Sequence, residues 1–306
     1  MATEASDVGG HLAAYDPTAP LVATGNLRRR LVISRVVQAL AMAAAAIAVG
    51  ALGWVTFEVI RRGVSVINWS FLTTNASQFG GGGGIGSEII GSALIVGAGA
   101  LIAAPLGVLC AIYLVEFASR RSQLAKLLQT GLDMMQGFPT VVIGLFIYGL
   151  VSGKQSGFAG SLALSMVMLP LIARTSQEVL LTIPGSLREA TDALGIDRWR
   201  SILTVILPTA LGGILTGTIL AVARAAGETA PLLIVDGVLN PSQTTIDIFG
   251  HGVPNLPLAI WEAAESPTPD ALARVWGIAL VLLGLILIAN IGARLLLARS
   301  RRRMGL

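Results

Sequence analysis

Charge is scarce in this 306-residue sequence. Only 12% of its residues are Asp, Glu, Lys or Arg, about half the share found in soluble domains. With 54% hydrophobic residues and a mean hydropathy of +0.77, the chain cannot solvate a globular surface and is built for lipid. The single cysteine, Cys110, excludes an intrachain disulfide and a cysteine metal cluster, and its place in an apolar run suits a small buried residue. His11 and His251 are the only histidines, far apart and without acidic neighbours at ligand spacing, so no metal is expected. A nucleotide loop is also missing. Around Gly153-Lys154, Tyr148 stands where G-x-x-x-x-G-K-[ST] needs its first glycine and Gln155 follows the lysine; no Lys-Ser/Thr helix follows the five glycines Gly80 to Gly84. The chain therefore carries no ATPase of its own. Its basic residues do not gather in one stripe, which excludes a nucleic-acid reading.

Long apolar runs are abundant. Six reach the ~20 residues needed to cross a bilayer, at about 33–60, 87–117, 127–151, 159–181, 205–235 and 272–297. Alternating ten-residue strand patterns are absent, so the expected class is all-α, a polytopic membrane protein of six helices. Residues 1–31 read as a polar cytoplasmic tail without the layout of a cleaved signal, 32–298 as the membrane domain and 299–306 as a basic tail. Fifteen of the 21 basic residues, among them Arg28, Arg120, Arg188 and Arg301, fall on one side of this arrangement, which places both termini in the cytoplasm. The opposite stretch from Asp236 to Asp270 is punctuated by Pro241, Pro254, Pro257, Pro267 and Pro269. Apolar residues such as Ile246 and Trp261 lie between them, and short helices over the outer mouth of a pathway or simple surface packing both fit.

Charges inside spans are costly and mark pathways or helix contacts. Arg174 with Glu178, and Arg224 with Glu228, lie at i, i+4 spacing, which puts each pair on one helix face. A guanidinium offers a planar fork of donors suited to tetrahedral oxyanions, so these pairs predict an anion path; a purely structural pairing of helices is the other reading. Pro139, followed by Thr140, predicts a break in the third span that frees backbone groups for the path or simply kinks the helix. In the fifth span, Ala225-Ala-Gly-Glu-Thr-Ala-Pro231 permits close backbone approach, and Pro231 loosens the helix.

Between the fourth and fifth spans, the loop 182–204 holds three acids and three arginines from Arg188 to Arg200, a polar island in an apolar chain. Leu187, Ala190, Leu194 and Ile202 predict an apolar side, Gly195 a sharp turn, and Trp199 between Arg198 and Arg200 suits a headgroup boundary. Here the sequence resembles the membrane subunits of ABC importers, whose cytoplasmic loop reads E-A-A, three residues, Gly, nine residues, I-x-L-P. Glu189, Ala190, Gly195, Leu207 and Pro208 match, while Thr191 and Val205 depart from the pattern. Gly107 to Phe117, Gly137 to Phe146, Leu169 to Glu178 and Ala223 to Leu233 narrow the resemblance to the phosphate-importer permeases called PstA, over most of residues 87–260.

The resemblance implies a type I permease fold and a coupling role for Glu189, Ala190, Leu194, Gly195 and Pro208. It also implies a substrate path through Arg224, Glu228, Arg174, Glu178, Pro139 and Thr140; Gln177 stands where related chains often have a second acid. The partners it implies are a PstC-like second permease, two PstB-like ATP-binding subunits that use ATP and Mg, a PstS-like phosphate-binding protein and membrane lipid. No cofactor is expected on this chain itself, and the expected location is the bacterial inner membrane. Another oxyanion, such as sulfate or molybdate, stays open as substrate. An ion-driven carrier leaves the Glu189 to Pro208 segment unexplained, and a membrane enzyme lacks a nucleophile with its base.

Overall fold

The computed structural model describes residues 27–76, 83–119, 121–237, 247–266 and 268–303. Most of the glycine run from Gly80, together with His11, Arg120, Pro241, Ile246, Pro267 and the rest of the tails at 1–26 and 304–306, lies outside the described residues. The chain divides into two units, Met1–Thr56 and Phe57–Leu306. In the first, the described residues are all part of α1 (Leu27–Gly63), a helix about 55 Å long at 1.5 Å per residue, longer than the ~30 Å hydrocarbon core. Its apolar side chains, including Leu40, Val49 and Trp54, are exposed within that unit.

The second unit is a helical bundle. After a short α2 (Trp69–Thr73), α3 (Gly86–Ile112) continues into one π-helical turn at Tyr113–Phe117. Then come α4 (Gln123–Gly137), α5 (Thr140–Leu150) and α6 (Gly157–Leu181). The polar loop forms α7 (Gly185–Ala193) and α8 (Arg198–Ser201), and a π turn at Ile202–Ile206 leads into α9 (Leu207–Ala225). The unit ends with α10 (Ala230–Val235), α11 (Leu256–Glu265) and α12 (Pro269–Arg303). Among the described residues, five helical stretches are long and apolar enough to cross a membrane, and a sixth span requires α4 and α5 to count together across a 110° bend. The third predicted span is thus a broken pair. The fifth is shorter than predicted, because α9 stops at Ala225 and Pro231 opens α10 in its first turn, where its missing N–H costs nothing.

Small residues set the core. Gly99, Ala103 and Gly107 recur every four residues along the face of α3 that meets α6, and no apolar driving force between lipid-immersed helices is needed when backbones approach this closely. A methyl group at Gly99 would stand 2.9 Å from the Ser161 carbonyl oxygen, and one at Gly107 would stand 2.9 Å from Ile172. The same device joins α9 to α6, where a methyl at Gly213 would meet Val179 at 2.6 Å and one at Gly217 would meet the Thr175 Cβ at 2.7 Å. Leu164, Met168, Ile172, Ala221 and Ala225 fill the space between these contacts and are fully buried. Cys110 is partly buried against a neighbouring cluster of Leu114, Ala125, Leu132 and Ala173.

At the end of the bundle away from α7, the segment 247–258 serves several helices. Its carbonyls receive orphan amides of the first turn of α6, from Gly157 to His251 at 2.9 Å and from Phe158 to Ile248 at 2.7 Å. The buried Asp236 carboxylate accepts from the Val253 amide at 2.9 Å and from Asn255 Nδ2 at 2.7 Å, while Asn255 Oδ1 caps α11 through the Leu258 amide at 3.0 Å. Arg274 of α12 donates to Glu88 of α3 at 2.9 Å. Burial holds Asp236 well above the usual carboxylate range, at about 7, although both hydrogen bonds pull the other way. Of the short helices expected in this stretch, α11 is present among the described residues, with Pro257 in its first turn.

Candidate functional site

Two places in the second unit combine polar chemistry with unusual backbone. The first is the bend between α4 and α5. A residue that precedes proline is driven out of the helical region, and Phe138 is accordingly extended at φ −72°, ψ 135°, which ends α4 before Pro139. Proline as N-cap supplies no side-chain acceptor; the Val142 amide turns back to the Pro139 carbonyl at 2.9 Å, and the start of α5 carries the partial positive charge of a helix N-terminus. Thr140, the first residue of α5, lines a cavity of about 150 Å³ together with Gln136, Pro170 and Leu171, and Arg224 of α9 lines it too. Gln136 Nε2 donates to the Pro170 carbonyl at 3.4 Å, which holds the end of α4 against α6. An anion entering this cavity would meet the positive start of α5 at Thr140 and a guanidinium together, a combination suited to a tetrahedral oxyanion.

The predicted pairs behave differently from one another. Arg224 Nε lies 3.9 Å from Glu228 Oε1, even though α9 ends between them. The guanidinium-bearing side chain is 67% exposed within this chain, so the ion pair is loose and leaves donors free for a ligand. Arg174 does not pair with Glu178. It is bound by Asp133 of α4 and donates to Gln177 at 3.3 Å, while Glu178 is exposed. The reason is tertiary: α4 packs along α6 and brings a carboxylate to Arg174 from outside its own helix. Pro139 and Thr140 are where the break was expected, and the structure brings Thr140 and Arg224 to one cavity with Arg174 outside its lining.

The second place is the loop α7 to α8. Pro184 starts α7, Gly195 takes the left-handed conformation at φ +68° that the turn demands, and Arg198 opens α8. The predicted apolar side divides in two. Leu187 packs on the cluster of Leu180, Ile183, Ile202 and Ile206, whereas Glu189, Ala190 and Leu194 face away, with Leu194 76% exposed. Thr191, one of the two departures from the loop pattern, is buried and bonds Ser201 hydroxyl to hydroxyl at 2.8 Å, tying α7 to α8. Pro208 sits in the first turn of α9, and Arg200 lies over the Trp199 ring at 5.2 Å.

Reading the sequence missed what holds α7 in place. Glu116, on the π turn after α3, is 3% exposed and accepts from Arg188 of α7 at 2.8 Å and 3.1 Å. The same guanidinium donates to the Leu180 and Ile183 carbonyls at the end of α6, each at 2.9 Å. Asp133 was missed as well. Both acids lie on other helices than their arginines, and the sequence signals were an acid at the end of one apolar run, Glu116, and an acid inside another, Asp133.

Residues 103–302 match the family model of the binding-protein-dependent transport system inner membrane component. The phosphate transport system permease protein PstA 1 of Mycobacterium tuberculosis is 32% identical over 302 residues, covering 95% of this chain and 96% of that one. The chain belongs to the PstA permease family. The PstA protein of Haemophilus influenzae is 37% identical, over 80% of this chain and 86% of its own, and that of Yersinia pestis is 35% identical over 88% and 91%. Among solved structures, the inward-facing MetNI methionine ABC transporter matches with a TM-score of 0.56 at 18% identity, covering 70% of this chain and 94% of that chain. At that identity the likeness shows the fold, an ABC importer permease fold. This PstA-family chain is a multi-pass inner-membrane permease subunit.

Proposed function

We propose that this PstA-family chain forms half of the path of an ATP-driven importer for inorganic phosphate. The observation that carries the reading is the cavity that Thr140, at the start of α5, and Arg224 both line. Phosphate offers that site tetrahedral oxygens and one to two negative charges, and Glu228 at 3.9 Å from Arg224 competes for the guanidinium and so favours release. Its relatives are called phosphate transport system permeases, which supports phosphate over sulfate or molybdate.

The second half of the path is a PstC-like permease, and the exposed Arg224 would face it. Energy comes from two PstB-like ATP-binding subunits that use ATP and Mg; this chain binds no cofactor. They dock on the face made by Glu189, Ala190 and Leu194 around the turn at Gly195, with Pro208 starting the span that follows. A PstS-like binding protein delivers phosphate from outside. The excess of basic residues in the loops on one side of the sequence-predicted spans, the loop 182–204 among them, supports a cytoplasmic location for that loop and for both termini. Closure of the ATP-binding subunits then moves the loop and switches the cavity between outward and inward access as a rigid-body transition.

Reconstitution of the complete complex in vesicles, with labelled phosphate, sulfate and molybdate offered in turn, tests this reading. Uptake of phosphate alone, dependent on ATP, is the expected result. Preference for sulfate or molybdate would overturn the substrate, and purification without any ATPase would overturn the drive.

A further inference from the structure

Building on the importer reading, we propose that Glu116 and Arg188 form a positioning clamp that makes α7 move as one body with α3 and α6, so that partner motion reaches the path. Arg188 is adjacent to Glu189 of the exposed face, yet its own side chain turns inward. All three of its nitrogens are engaged: Nε and Nη2 bind the Glu116 carboxylate, while Nη1 reaches the Ile183 carbonyl and Nη2 the Leu180 carbonyl, which also accepts the Ile183 amide at 3.4 Å. One side chain thus joins three helices.

The backbone is shaped for this contact. The π turn at Tyr113–Phe117 inserts one residue beyond the regular helical repeat and places Glu116 inward, with its side chain 2% exposed. A buried carboxylate is costly without a partner, and pairs of this kind contribute little net stability compared with packed apolar groups. Its benefit is geometric. Leu187 and the Thr191–Ser201 bond hold a helix of nine residues against its own loop and the end of α6, whereas the charge-assisted fork adds the tie to α3 that fixes its distance from that helix. The α6 helix at the other end of the clamp carries Arg174 and packs on α9, which carries Arg224, so α7, the clamp and the cavity form one contiguous chain of contacts.

The test separates coupling from folding by removing both charges together. In the complete complex, Glu116→Leu with Arg188→Met keeps the volume apolar, and Glu116→Gln keeps the shape without the charge. The clamp predicts normal membrane abundance and ATPase co-purification for the double variant, with phosphate moved per ATP hydrolysed lowered about tenfold, within the usual range for coupling between sites. A ratio within about twofold of wild type, with abundance intact, would overturn the clamp, and so would loss of the ATPase from the double variant, which would make the pair part of the docking shape. Spin labels at Leu101 of α3 and Ser186 of α7, in a Cys110→Ala background, give a readout independent of substrate. Their separation should stay constant through the ATP cycle in the wild type and vary in the double variant. A wild-type complex that hydrolyses ATP but moves no phosphate would contradict the phosphate reading, and the label distances would still decide the clamp.

Discussion

Asp236 makes the segment 247–258 sensitive to pH, and the sign follows from its surroundings. Its carboxyl is fully buried and titrates at about 7 in the fold, against 3.8 for the exposed group. Between those values the native state keeps a proton that the opened state has lost, so stability is fully present below about 3.8 and falls as pH rises toward about 7. Each unit in that window is worth about 1.4 kcal/mol, which accumulates to about 4 kcal/mol in all. Amide hydrogen exchange at Val253 and Leu258, corrected for the intrinsic rate at each pH, reads the opening free energy directly, because the first amide bonds Asp236 and the second bonds its partner Asn255. The wild type should lose protection steadily from pH 4 to pH 7 and level off above, while Asp236→Asn should show no slope. Protection that is flat in the wild type, or that rises with pH, would refute the argument that burial outweighs the two hydrogen bonds.

Three further outcomes concern the bundle and its loop. A methyl at Gly144 would stand 2.8 Å from the Pro231 Cα, so Gly144→Ala should wedge α5 from α10, cost about 1–3 kcal/mol and lower the melting temperature of the purified protein. Leu194→Asp should leave that melting temperature unchanged, since the side chain is 76% exposed, yet abolish co-purification of the ATP-binding subunits. In double-mutant cycles on thermal stability, Arg174 should couple to Asp133 by about 0.5–3 kcal/mol and to Glu178 by less than about 0.5.

What could be read from the sequence divides along a physical line. Local and periodic signals were legible: the apolar runs marked where the long helices form, though the third is broken and the fifth stops at Ala225, Pro139 marked the break, and Gly195 the turn within the loop. Signals that depend on which helices become neighbours were not. Spacing of i, i+4 suggested Arg174 with Glu178, but a carboxylate on α4 lies closer in space, and no pattern within α6 reveals it. The same holds for Glu116 and Arg188, 72 residues apart, and for Asp236 with Asn255. The apolar side predicted for the loop was half right, because hydrophobicity marks Leu187 and Leu194 alike and only packing separates the buried one from the exposed one. Thr191 looked like a mild departure from pattern, and its hydroxyl acquires meaning only beside Ser201.

The measurement that bears most directly on the account is phosphate uptake by the complete complex carrying Arg224→Ala, at membrane abundance and ATPase content equal to wild type. Loss of a charge-assisted contact to the anion predicts a fall of about 10- to 150-fold, with Arg224→Lys recovering only part because an ammonium lacks the planar fork. Uptake equal to wild type in Arg224→Ala would contradict the claim that the cavity between α5 and α9 is the path.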